Sequence, residues 1–161
     1  MNSKTFETLD RPAHPVWDQA FTRLWQRASG RIEGCVQRVG ERLDGLGLHC
    51  ATRTHVGPRG VTTVLRVNRT PTQALFDLSF TLVDGLPEAH YPGARLELRL
   101  RDAEGHVLAD GRALTGGNGR HYFTAAEPLL ADAATLLSPS AVLALVREHF
   151  DLLHHQRQRA G

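Results

Sequence analysis

The chain has 161 residues, enough for one domain with a sizeable core. Its 19 basic and 17 acidic side chains nearly cancel, which excludes an acidic solvating tail or a histone-like polycation as a description of the whole molecule. Lys4 is the single lysine and all other basic residues are arginines, a bias that a GC-rich bacterial genome explains more simply than selection for bidentate contacts.

Residues 1–15 carry no apolar run and no cationic leader and read as a flexible lead. Residues 16–157 read as a single α+β domain, and 158–161 as a frayed tail. A membrane span needs roughly 18 or more consecutive apolar residues, and no such stretch is present. The sequence therefore predicts no signal peptide, no membrane contact and a cytoplasmic location.

Pro15 opens a long helix, where its missing N–H is no loss. Trp17, Phe21, Leu24, Trp25, Ala28, Ile32, Cys35, Val36, Val39, Leu43 and Leu46 recur on one side of that helix, and Gln19, Arg23, Gln26, Arg27 and Arg31 lie opposite. Gly30, Gly34 and Gly40 weaken it but sit off the stripe, which keeps its phase across them, so one helix is expected. Gly45 and Gly47 stop it.

From Leu48 the period changes to two. Leu48 to Val56 and Val61 to Asn68 form a hairpin around Gly57-Pro58-Arg59-Gly60. Ala74 to Leu82 is the third strand, ended by Asp84-Gly85-Leu86-Pro87, with a loop to Pro92-Gly93. Arg95 to Arg101 and His106 to Ala113 form a second hairpin around Asp102-Ala103-Glu104-Gly105. Arg120 to Thr124 allows a sixth strand, and Ala125 to Leu136 a short helix. Ser138 then caps a last helix with Pro139 at its first position and Val142, Leu145, Val146, His149, Leu152 and Leu153 on its buried face. The expected fold is α+β: a single antiparallel sheet of five or six strands covered by a long N-terminal helix and two C-terminal helices.

Motifs with chemistry are sparse. The histidines form no HExxH and the cysteines no CxxC, so no metal site and no cofactor are expected. Ser79 lacks a GxSxG elbow, and Gly116-Gly117-Asn118-Gly119 lacks the Lys-Ser/Thr of a phosphate loop. No catalytic residue is assigned. Cys35 and Cys50 both fall on apolar faces and read as inert buried thiols. His149 lies on an apolar stripe and is the one pocket candidate, with Tyr122, Asp77 and Arg95 as polar residues able to join it between the sheet and the long helix.

Charge is less even. Between Asp44 and Asp77 there is no acidic residue, and strand alternation sets His49, Arg53, His55 and Arg66 on the polar face of the first hairpin with Arg59 at its tip. No aromatic interleaves with these arginines, so base stacking and hence nucleic acid are not expected. Leu143 and Phe150 widen the last helix beyond what one sheet covers, which suggests self-association.

The order of helix, three strands, two more strands and closing helix is similar to the layout of small bacterial secretion chaperones. Those have a further helix after the third strand and are acidic, and no motif ties this chain to them. The function expected is a non-catalytic protein-binding module of the chaperone or adaptor kind, a homodimer that also engages another protein. The alternatives are a small-molecule pocket under the long helix, or anion or nucleic-acid binding by the basic hairpin.

Overall fold

A computed structural model describes residues 14–17, 19–86, 91–114, 134 and 136–152. Its elements are α1 (Gln19–Gly45), β1 (His49–Gly57), β2 (Gly60–Thr70), β3 (Gln73–Leu86), β4 (Tyr91–Asp102), β5 (Val107–Leu114) and α2 (Pro139–His149). The strands form one antiparallel meander in the order β1-β2-β3-β4-β5. The expected sixth strand, most of the expected helix over 125–136, Tyr122, Leu153 and the tail lie outside the described residues.

The long helix is continuous through Gly30, Gly34 and Gly40. It starts later than Pro15 suggests. Residues 14–17 form a turn, closed by the Trp17 N–H donating to the His14 carbonyl at 3.1 Å, and the helix begins at Gln19. Trp17 still belongs to the core: its ring packs edge-on against Phe21 at 4.8 Å, and its Nε1 donates to the Gly57 carbonyl at 2.8 Å. That bond ties the start of the helix to the tip of the first hairpin.

At its other end α1 closes in a Schellman motif. Gly47, at φ 91°, lets its own N–H reach the Asp44 carbonyl and the Leu48 N–H reach the Leu43 carbonyl. Leu43 and Leu48 are both buried, the apolar contact that accompanies this cap. The chain thus leaves the helix directly into β1, which runs back beneath it.

Alternation decides the two faces of the sheet. Val61, Leu65, Val67, Phe76, Leu78, Phe80, Leu82, Leu96, Leu98 and Leu100 all point inward and are buried against the α1 stripe. Two strands are longer than their apolar runs. Strand β3 continues to Leu86 and β4 starts at Tyr91, so the segment expected to be a loop is mostly sheet. Strand pairing extends past the apolar alternation because backbone hydrogen bonds do not require it.

Helix α2 lies on the same face of the sheet as α1. Ser138 caps it as expected, its hydroxyl accepting from the Ala141 N–H at 3.3 Å. Val142, Leu143 and Val146 are buried, and Phe150 stacks on Phe76 at 4.9 Å. Leu136 rests on Gly111 of β5, so this segment reaches from β5 to β3. Of the residues that suggested a spare apolar surface, Leu143 is therefore in the molecule's own core and Phe150 is partly buried against it.

Candidate functional site

Both helices lie on one face of the sheet, and the outer face carries the charge. Its cross-strand rows follow from the register. Ala51, Arg66, Asp77 and Arg101 form one, and Arg53, Val64, Ser79, Arg99 and Asp110 the next. His55, Thr62, Thr81, Glu97 and Arg112 form a third. With Arg95 these rows set six arginines against three carboxylates. No aromatic stands in them.

Two ion-pair groups organise this face. Arg66 and Asp77 are directly opposed partners on β2 and β3 and meet side-on, Nε donating to Oδ1 at 3.1 Å and Nη2 to Oδ2 at 3.4 Å. The hydrogen bond to Asp77, then its charge, pushes the Arg66 pKa up, so Arg66 is a matched charge. The second group centres on Glu97, which is buried although it points outward. Its carboxylate lies 3.0 Å from Arg95 Nε, 3.3 Å from Arg99 Nη2 and 3.5 Å from Arg112 Nε. Neither Arg95 Nε nor Glu97 Oε1 completes a hydrogen bond, so the contact between residues two apart on one strand is an ion pair held by charge. Three guanidinium groups share one carboxylate, which leaves the cluster cationic. Arg101 adds to the frame through Nη1, which donates to Ser79 Oγ at 3.3 Å.

The basic hairpin residues named from the sequence do share this face, but unequally. His49, Arg53 and His55 are exposed on β1, and Arg59 stands at the turn. None of these four has an ion-pair partner among the described residues, in contrast to Arg66. Arg53, His55, Val64, Arg66 and Asp77 line a hollow of about 210 Å³ that runs over β1, β2 and β3 on the outer face, and His55 also borders a shallower one at the hairpin turn.

The pocket expected between sheet and helix is not where the polar candidates go. Asp77 and Arg95 point to the opposite face, in the pairs just described. His149 is exposed and borders an open hollow with Glu148, Phe150 and Asp151. It is the last residue of α2; Phe150 is extended after it and turns onto Phe76 in its place. A wheel position counts only while the helix faces something.

At the β4–β5 turn, ligand atoms of Asp102, Glu104 and His106 gather within 4.8 Å. Asp102 Oδ1 accepts from the N–H groups of Glu104 and His106, and Oδ2 lies 3.2 Å from His106 Nδ1. These contacts, the His106 backbone bond foremost, hold the Asp102 carboxyl below its usual range. Gly105 at φ 90° completes a three-residue hairpin connection, so the cluster is explained by the turn.

Both cysteines are free thiols. Burial raises the pKa of each to about 11, against a nearby Arg38 that lowers Cys35 and with an added push from Asp44 on Cys50. No described helix is long and apolar enough to cross a membrane.

The Glu97 group was missed in the sequence. Arg95, Glu97 and Arg99 at spacing two were a legible signal for one strand face, but the partnership of Arg112 needs the β4–β5 register. No protein-family model, curated protein or solved structure matches this chain.

Proposed function

We propose that this protein is a non-catalytic binding module of the adaptor or chaperone kind, that its working surface is the uncovered outer face of the sheet, and that its partner is an acidic protein surface. One observation carries the reading: among the described residues both helices cover a single face, and the other face holds six arginines, three carboxylates and no aromatic in its paired rows. A cationic face without stacking platforms favours carboxylates over bases. The ion pairs with Asp77 and Glu97 hold Arg66, Arg95, Arg99 and Arg112 in place before a ligand arrives, which lowers the ordering cost of binding. Leu143 is buried and Phe150 packs against the core, so these two residues give no support to self-association. The two free thiols support a reducing compartment, hence the cytoplasm.

Titration with fluorescent polyglutamate and with a mixed-sequence oligonucleotide, each at low and high salt, tests this. Polyglutamate should bind, weaken as salt rises, and weaken further in Arg112→Gln, whose side chain is 57% exposed and can be changed without disturbing the core. Absent polyglutamate binding, or tighter binding of the oligonucleotide, would overturn the proposal.

A further inference from the structure

Among the described residues no strand pairs with the outer edge of β1. We infer that β1 accepts an extended acidic segment of a partner protein as a sixth, edge-paired strand. This rests on the proposed preference for acidic partners and adds the mode of binding.

The edge is regular. All nine residues of β1 pair with β2 without a register shift. A two-residue turn makes Gly57 and Gly60 a hydrogen-bonded pair, and antiparallel ladders alternate, so Arg53 and His55 direct their backbone groups to β2. The N–H and C=O groups of Cys50, Thr52, Thr54 and Val56 then face away from the sheet. Ala51, Thr52, Arg53, Thr54 and His55 are all exposed, so the middle of the strand is open on both faces as well as along its edge.

Among the described residues the edge has no steric guard. Sheet edges are usually blunted by proline, a bulge, a covering element or exposed charge, and β1 has only the last, Arg53, which repels a like-charged strand but not an acidic one. Within β1 there is no proline and no bulge. The opposite edge differs: β5 pairs through a register shift at Leu100/Arg101.

Charge selects the occupant. A side chain of an added strand lies about 5 Å from its direct neighbour. On the outer face those neighbours are Arg53 and His55, with His49 and Arg59 at the two ends, and no acidic residue occurs between Asp44 and Asp77. Asp77 already matches Arg66, so among the described residues the unpaired arginines of this hairpin are Arg53 on β1, Arg59 at the turn and Arg69 near the far end of β2. A second copy is the poorer occupant. Antiparallel β1 strands about a two-fold axis would set the Arg53 and His55 of each copy against a strand with no carboxylate. Glutamate at alternate positions of a partner strand meets Arg53 and His55.

The test uses the full chain and a blocked nonapeptide of alternating glutamate and valine. Fluorescence anisotropy reads binding, and amide hydrogen exchange by NMR reads its place. At about 1 mM peptide, exchange at Thr52 and Thr54 should slow at least roughly tenfold. N-methylation of the edge-facing peptide nitrogens should abolish binding, and Arg53→Glu should weaken it roughly tenfold. Thr54→Pro removes one outward N–H and should also abolish binding; the N-methyl peptide makes the same point on the unaltered protein. Slowed exchange confined to strands β4 and β5 would overturn strand addition and leave the basic-face proposal standing. Binding of neither this peptide nor polyglutamate would overturn both. Equal binding of a lysine–valine peptide would overturn the acidic occupant. Thr52 and Thr54 amides already protected in a self-associated protein would assign the edge to a second copy and overturn this inference.

Discussion

Glu97 is the residue on which the outer face turns. Removing its charge leaves three guanidinium groups facing one another on neighbouring strands. Breaking a fully buried pair costs about 3–5 kcal/mol, but Arg99 and Arg112 keep 38% and 57% of their side-chain surface in water and can rehydrate. Glu97→Gln should therefore destabilise by about 1–2 kcal/mol in urea unfolding, discounted for that screening, and should tighten polyglutamate binding because the face becomes more positive. Gly60 matters through space. A Cβ there would meet the Leu82 carbonyl oxygen and approach Val83 Cα at 3.1 Å, both backbone atoms of β3 that cannot step aside. Gly60→Ala should cost about 2–3 kcal/mol, whereas Gly111→Ala meets only the end of the Leu136 side chain and should cost less than about 1 kcal/mol. The thiols give a pH signature. Their folded pKa of about 11 stands above the ordinary 9.0, so the folded state holds these protons more tightly. Their contribution is complete below pH 9 and is lost as pH rises toward 11. At pH 8 both should resist alkylation in the native protein and react at once in denaturant, as mass spectrometry would read.

Among the elements, α1 shows how a stripe overrides local propensity. Gly30 and Gly34 each weaken a helix in isolation, yet it stays continuous because residues on either side bury against one sheet. A Cβ at either position meets nothing within 4 Å. Gly30→Ala and Gly34→Ala should each stabilise by about 0.5–1 kcal/mol in urea unfolding, with no change in binding. Helix α2 is held by fewer contacts, and the Phe76–Phe150 stack is the chief tie at its end. Phe150→Ala should cost about 2 kcal/mol, because the ring is half-buried and loses its aromatic partner. It should also speed amide exchange in α2 before it affects β3. Strand β1 is the reverse case, an element whose pairing is regular but whose surroundings leave it open.

For the molecule as a whole, the asymmetry of the sheet is the governing fact: apolar residues go under two helices, and charge goes to the bare side. That division was legible from the period of the chain. The switch from helical spacing to alternation after Leu48, the turn glycines and the Ser138-Pro139 start made a long helix, a five- or six-stranded antiparallel sheet and C-terminal helices legible, and the described residues hold five strands and one C-terminal helix. The polar face of the first hairpin was legible for the same reason. Tertiary structure decided everything that depends on which strand lies beside which and where a helix stops. Register paired Arg66 with Asp77 and brought Arg112 to Glu97, and it carried Asp77 and Arg95 away from the pocket their polarity suggested. The end of α2 at His149 put that histidine in water and turned Phe150 onto Phe76. Periodicity is a property of neighbours along the chain and so can be read in one dimension; partnership across strands, and the bare edge of β1, exist only once the sheet has closed its ladder.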